Sequence, residues 1–177
     1  MGETKKIYFV LTYTGTILAK IVKLYTRKTY SHVSIALDDS LENMYSFGRL
    51  NAYNPFIGGF VVESKERGTF KRFKNTKTVV FSYEISEEQY ERIKREIDTF
   101  ILNKEQYKFN ILGLFLVMFN IKLKRKNCFY CAEFVKYLVE KDGIITDLPN
   151  IVKPNDFREL NNMELVYKGK LNNYAIT

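Results

Sequence analysis

The chain has 177 residues, 46% of them hydrophobic, with three prolines, two cysteines and a formal net charge of +8. That is enough apolar material for one domain with a real core, and no linker, repeat or low-complexity tract divides it, so residues 1–177 read as a single domain. Two cysteines are too few for a disulfide framework, and the first residues run into an apolar strand rather than a secretory leader, so reduced thiols in a cytoplasmic setting are expected. The basic charge suits nucleic acid, but no nucleic-acid motif accompanies it and none is expected as a partner. Gly2 opens no myristoylation signal, because Lys6 stands where Ser or Thr is required.

In chain order, the hydrophobic pattern predicts a strand over 6–12, a helix over 16–26 and strands over 32–38, 44–48, 58–64 and 76–85. A helix over 87–102 follows, then an apolar helix over about 107–120, a helix over 131–142 and a last strand near 164–171. In the strand 32–38, Val33, Ile35 and Leu37 share one face, while His32, Ser34 and Ala36 share the other. Ser86 and Gln89 form a capping box ahead of Tyr90, Ile93, Ile97, Phe100 and Ile101, and Asp142-Gly143 closes the helix 131–142. Short strands interspersed with helices give an α+β class, a central antiparallel sheet or small barrel with helices packed against it.

The run 109–119 is the most apolar in the chain but falls short of the roughly 20 residues a membrane span needs. It reads as a buried helix. Its basic flank, Lys122, Lys124, Arg125 and Lys126, also suits an anionic membrane surface, so peripheral membrane contact is a second expectation.

Residues 127–139 carry the chemistry. From Cys131, the apolar positions Phe134, Val135, Leu138 and Val139 follow helical spacing, so the cysteine opens an amphipathic helix on its buried stripe. Unpaired N–H groups and the partial positive charge of a helix start favour a thiolate there. Cys131 also reads as a small buried hydrophobe, and Cys128-x-x-Cys131 as a redox couple. A zinc site would need four ligands, more than two cysteines and one histidine supply. No cofactor or metal is expected. His32 is the sole histidine, so any base activating Cys131 through imidazole must be this residue. The small residues Ser34 and Ala36 beside it would let the cysteine helix cross that face of the strand.

A histidine opening a strand in Ser31-His32-Val33, then a second strand, then Phe129-Tyr130-Cys131-Ala132-Glu133-Phe134-Val135 at a helix start, resembles the circularly permuted papain-like hydrolases of the NlpC superfamily, the YiiX-like group in particular. The likeness extends to residues 14–29, similar to the helix that precedes the histidine strand in these proteins, and to Tyr107 ahead of the cysteine helix. It covers about two thirds of the chain. It implies a permuted papain-like fold, with Cys131 as nucleophile and His32 as base. The third, orienting residue usually stands on the strand after the histidine as a carboxylate or amide. Here Met44-Tyr45-Ser46-Phe47-Gly48 offers Ser46, with Glu42 and Glu63 as alternatives.

The expected activity is a cysteine hydrolase or acyl-transfer enzyme acting on an amide or ester of a peptide-like or lipid-like substrate, with Tyr107 or Tyr130 lining the site. Two rivals remain at this stage. One is a noncatalytic lipid- or peptide-binding protein with the same fold, the other a redox protein using Cys128 and Cys131.

Overall fold

The computed structural model describes residues 3–51, 54, 57–141 and 143–175. Met1, Gly2 and Asp142, on which three sequence expectations touch, lie outside them. The described chain runs β1 (Thr4–Tyr13), α1 (Ile17–Thr26), β2 (His32–Ala36), β3 (Met44–Arg49), β4 (Gly58–Glu63), α2 (Gly68–Arg72), β5 (Lys77–Ser86) and α3 (Glu87–Leu102). It continues through β6 (Lys108–Phe109), α4 (Ile111–Met118), β7 (Cys128–Phe129), α5 (Cys131–Lys141) and β8 (Glu164–Lys170).

The fold is α+β. Six strands form an antiparallel sheet in the order β4-β3-β2-β1-β5-β8, open with β4 and β8 at its edges rather than closed as a small barrel. Alternation sorts the side chains to two faces. Ile7, Phe9 and Leu11 of β1, Val33 and Ile35 of β2, and Phe47 of β3 join one core with the buried stripe of α5. Val10, Ala36, Met44 and Val80 project to the other face, where Phe70 of α2, Leu171 and Tyr174 cover them. α5 therefore packs on the Val33/Ile35 face, not on the small-residue face that the sequence suggests. Branched and aromatic side chains on that face bury more apolar area than Ser34 and Ala36 offer, and burial is what drives the packing.

The capping box at α3 forms as written in the sequence: Ser86 Oγ accepts from Gln89 N at 3.2 Å, and Gln89 Oε1 accepts from Ser86 N at 3.0 Å. Ile93, Ile97 and Phe100 are its buried side. The apolar helix begins later than the spacing predicts, at Ile111, because Lys108 and Phe109 pair in parallel with Cys128 and Phe129. Asn110 ends that pairing and starts α4. Its N–H donates to Phe129 O at 2.8 Å, its Oδ1 accepts from Gly113 N at 3.0 Å and its Nδ2 donates to Leu123 O at 3.0 Å. Only glycine suits position 113, since a Cβ there would stand 2.3 Å from Asn110 Nδ2.

Two features lie outside the expected elements. The five-residue α2 brings Phe70 under the sheet. The connection from α5 to β8, whose one regular piece among the described residues is a 3₁₀ turn at Pro154–Arg158 followed only by β8, nonetheless gives Ile145, Leu148, Val152 and Phe157 to the core.

Candidate active site

The first residue of β2 and the first residue of α5 meet at one end of the sheet. β2 is held there by the residues just before it. Ser31 N donates to Thr12 O at 3.1 Å. The buried Asn155 grips Tyr30 with both ends of its amide, donating to Tyr30 O at 2.5 Å and accepting from Tyr30 N at 3.4 Å.

α5 is aimed by the β6–β7 pairing two residues ahead of it and by its own first turn. Phe134 N donates to Tyr130 O at 3.0 Å, the first bond of the helix, so the N–H groups of residues 131–133 have no partner within it. Glu133, at the third helical position, accepts a hydrogen bond from the Tyr130 backbone N–H and sets a negative charge at the positive end of the helix. Burial raises the Glu133 pKa, and that hydrogen bond opposes the rise.

His32, Cys131 and Glu63 line one cavity of about 70 Å³. Leu18 and Val22 of α1 and Leu114 of α4 form part of its wall, and Arg49 adds a cation. Glu63, the last residue of β4, faces the imidazole through both oxygens, with His32 Nε2 to Oε2 at 2.9 Å and to Oε1 at 3.1 Å. Ser34 Oγ donates to the same Oε2 at 2.6 Å and fixes the carboxylate from the side. The His32 and Glu63 side chains are only 19% and 13% exposed.

With Nε2 engaged by the carboxylate, Nδ1 is the ring nitrogen left for the Cys131 side chain, which lines the same cavity. Burial works hardest, and against the charged ring. The negative charge of Glu63, the hydrogen bonds with Cys131 and Glu63 and the charge on Cys131 together outweigh it, and the His32 pKa is pushed up to about 10. The ring, with a carboxylate on one side and a sulfur on the other, holds its proton more tightly than a free imidazole.

The sequence-derived candidates separate in the structure. Cys131 and His32 come together. Ser46 does not join them: its hydroxyl donates to Val33 O at 2.7 Å and ties β3 to β2 beyond their backbone pairing. The carboxylate on the imidazole is Glu63, and Glu42 is exposed on the surface. Tyr107 lines a different cavity beside β4, with its ring 4.3 Å from that of Phe100. Tyr130 is buried, donates from its hydroxyl to Val152 O at 3.1 Å and holds its proton more tightly than usual because of burial. Neither tyrosine is among the residues lining the Cys131 cavity.

Cys128 lines a third cavity with Lys124 and Glu133, while Cys131 opens to the His32 cavity, and both thiols are free. Among the described residues, no group of three or more His, Cys, Asp or Glu side chains is placed to hold a metal ion. Sequence reasoning missed Ser34 as a partner of the carboxylate. Its signal was there, since residues 32 and 34 alternate onto one face of the strand.

No protein-family model, curated protein or solved structure matches this chain.

Proposed function

We propose that the protein is a cysteine hydrolase or acyl-transfer enzyme of the permuted papain-like kind, with Cys131 as nucleophile, His32 as acid and base, and Glu63 as the residue that positions His32. The observation that carries this reading is the contact of Glu63 with His32 Nε2 in the one cavity that His32 and Cys131 line together. Nucleophile, base and orienting carboxylate in sequence are what thiol activation requires.

Cys131 sulfur attacks the carbonyl carbon of an amide or ester. The resulting oxyanion is held by N–H groups at the start of α5, which lack partners within the helix. His32 passes its proton to the leaving nitrogen or oxygen, the carbon–heteroatom bond breaks and a thioester remains on Cys131. Water, or a second nucleophile, then attacks the thioester as His32 takes up its proton, and the thiolate is released. Ser34 and Glu63 keep the ring in the tautomer and orientation that this exchange needs.

The substrate class, a peptide-like or lipid-like acyl compound, rests on the resemblance. The rival reading as a noncatalytic binding protein leaned on a serine as the orienting residue. A carboxylate in contact with the imidazole takes that support away.

The test is acylation by an activated ester of a small acyl group, followed by intact-protein mass. A single acyl adduct on the wild type, absent from Cys131→Ser and formed roughly 10²–10⁴-fold more slowly by His32→Ala, is expected from general-base assistance. Equal rates for wild type and His32→Ala would overturn the reading.

A further inference from the structure

α4 is apolar at nearly every position, Ile-Leu-Gly-Leu-Phe-Leu-Val-Met, and Phe119 follows it directly. A helix of that kind is ordinarily enclosed on all sides. Here it is not: Leu112 and Phe119 are exposed, Phe119 to 64%. α1, which packs against α4, repeats the anomaly. Ala19 and Val22 face inward, while Ile17, Ile21 and Leu24, at helical spacing, form an outward stripe on which Ile17 is 79% and Leu24 75% exposed. Tyr25 and Phe119, with ring centroids 6.1 Å apart, join the two helices into one apolar surface, and exposed Ile121 extends it. Single exposed apolar side chains are ordinary, but a contiguous group on two packed helices marks a surface that something covers.

The charge around it says what. Residues 11–37 hold four basic and no acidic residues, and residues 106–132 hold five basic and no acidic residues. All nine cations are exposed, Lys28 with Glu159 at 3.4 Å. The strand of cations after α4 folds back toward the start of that helix, where Leu123 O accepts from Asn110. An apolar face with a basic rim complements the acyl boundary and the anionic headgroups of a bilayer. No described helix is long and apolar enough to cross a membrane, so the contact is peripheral.

We propose that the outer surface of α1 and α4, with the segment 119–126, docks onto an anionic lipid bilayer. The same two helices supply Leu18, Val22 and Leu114 to the Cys131 cavity, so they stand between the docked surface and that cavity.

The experiment is flotation of the full chain with vesicles of phosphatidylglycerol and phosphatidylcholine, against vesicles of phosphatidylcholine alone. Binding to the anionic vesicles only, released at about 1 M salt where the Debye length is about 3 Å, is expected. Lys124→Ala with Lys126→Ala should weaken partitioning roughly 30-fold. Leu24→Glu with Phe119→Glu should abolish it, with circular dichroism unchanged because both positions are exposed. No binding, equal binding to both vesicles, or indifference to the Leu24/Phe119 pair would overturn the proposal. So would a dimer in solution dispersed by that pair, which would assign the face to a second copy, or nucleic-acid binding lost in the lysine variants without vesicle binding. Cys131→Ser should float as the wild type does, so failure of the chemistry and failure of the docking are read separately.

Discussion

Glu63 and His32 meet across a strand that separates them: β3 lies between β4 and β2, yet Glu63 Oε2 and His32 Nε2 are 2.9 Å apart. The strand between them presents Gly48 at that point. A Cβ on Gly48 would stand 3.6 Å from His32 Cε1 and 3.8 Å from Glu63 Oε1, so the two side chains close over the place where a larger residue would project.

Gly48→Ala is therefore expected to be tolerated, since those separations are ordinary van der Waals contacts, whereas Gly48→Leu should drive the two side chains apart. The rate of Cys131 alkylation at pH 7 should stay within about twofold for alanine and fall roughly tenfold or more for leucine, a loss comparable to one charge-assisted hydrogen bond. Equal rates for both variants would show that the contact does not matter to the thiol.

The roles of Glu63 and Ser46 separate by two measurements. Glu63→Gln keeps the shape but loses the charge facing His32, and a hydrogen bond to a charged group is worth about 1.5–3 kcal/mol, so alkylation should slow by roughly 10- to 100-fold. Ser46→Ala should leave that rate unchanged and lower unfolding stability by about 1 kcal/mol, because its hydroxyl serves Val33 O. A large rate effect from Ser46→Ala would return the orienting role to it.

Stability should fall with rising pH. The folded-state pKa of His32, about 10, lies above its ordinary 6.5, so the folded chain holds this proton more tightly than the unfolded one. The stabilisation is complete below about pH 6.5 and is lost as pH climbs through about 10. Urea midpoints at intervals from pH 6 to pH 10 should decline for the wild type and flatten for His32→Asn. A decline of the same slope in that variant would assign the effect to other groups.

Cys131 and Cys128 should differ sharply. Cys131→Ser should lose rapid alkylation near neutral pH and Cys128→Ser should keep it, because only Cys131 shares a cavity with the imidazole. Mild oxidation that gave a reversible disulfide between the two would revive the redox reading.

Much of this was legible in the sequence because the signals were local. The periodicity of α5 placed Cys131 at its first residue and on its buried stripe, and the capping box placed the start of α3. What escaped depended on contacts between distant segments. Lys108-Phe109 reads as the first turn of an apolar helix until Cys128-Phe129 arrives to pair with it. Glu63 reads as a solvated strand end, since nothing near it in the chain reveals that a glycine on the next strand opens a path to the imidazole. The same holds for the face on which α5 packs. Alternation divides β2 into two sides but does not say which one a helix 100 residues away will cover.

The clamp of Asn155 on Tyr30 carries a consequence for how the protein is made. His32 and Cys131 are 99 positions apart, and the residue that secures the start of the histidine strand comes later than either. Synthesis proceeds from the N-terminus, so β1 to β4 leave the ribosome with His32 but with neither Cys131 nor the amide that clamps Tyr30. The imidazole meets its sulfur neighbour only after α5 has emerged, and the start of β2 is clamped later still, when Asn155 follows.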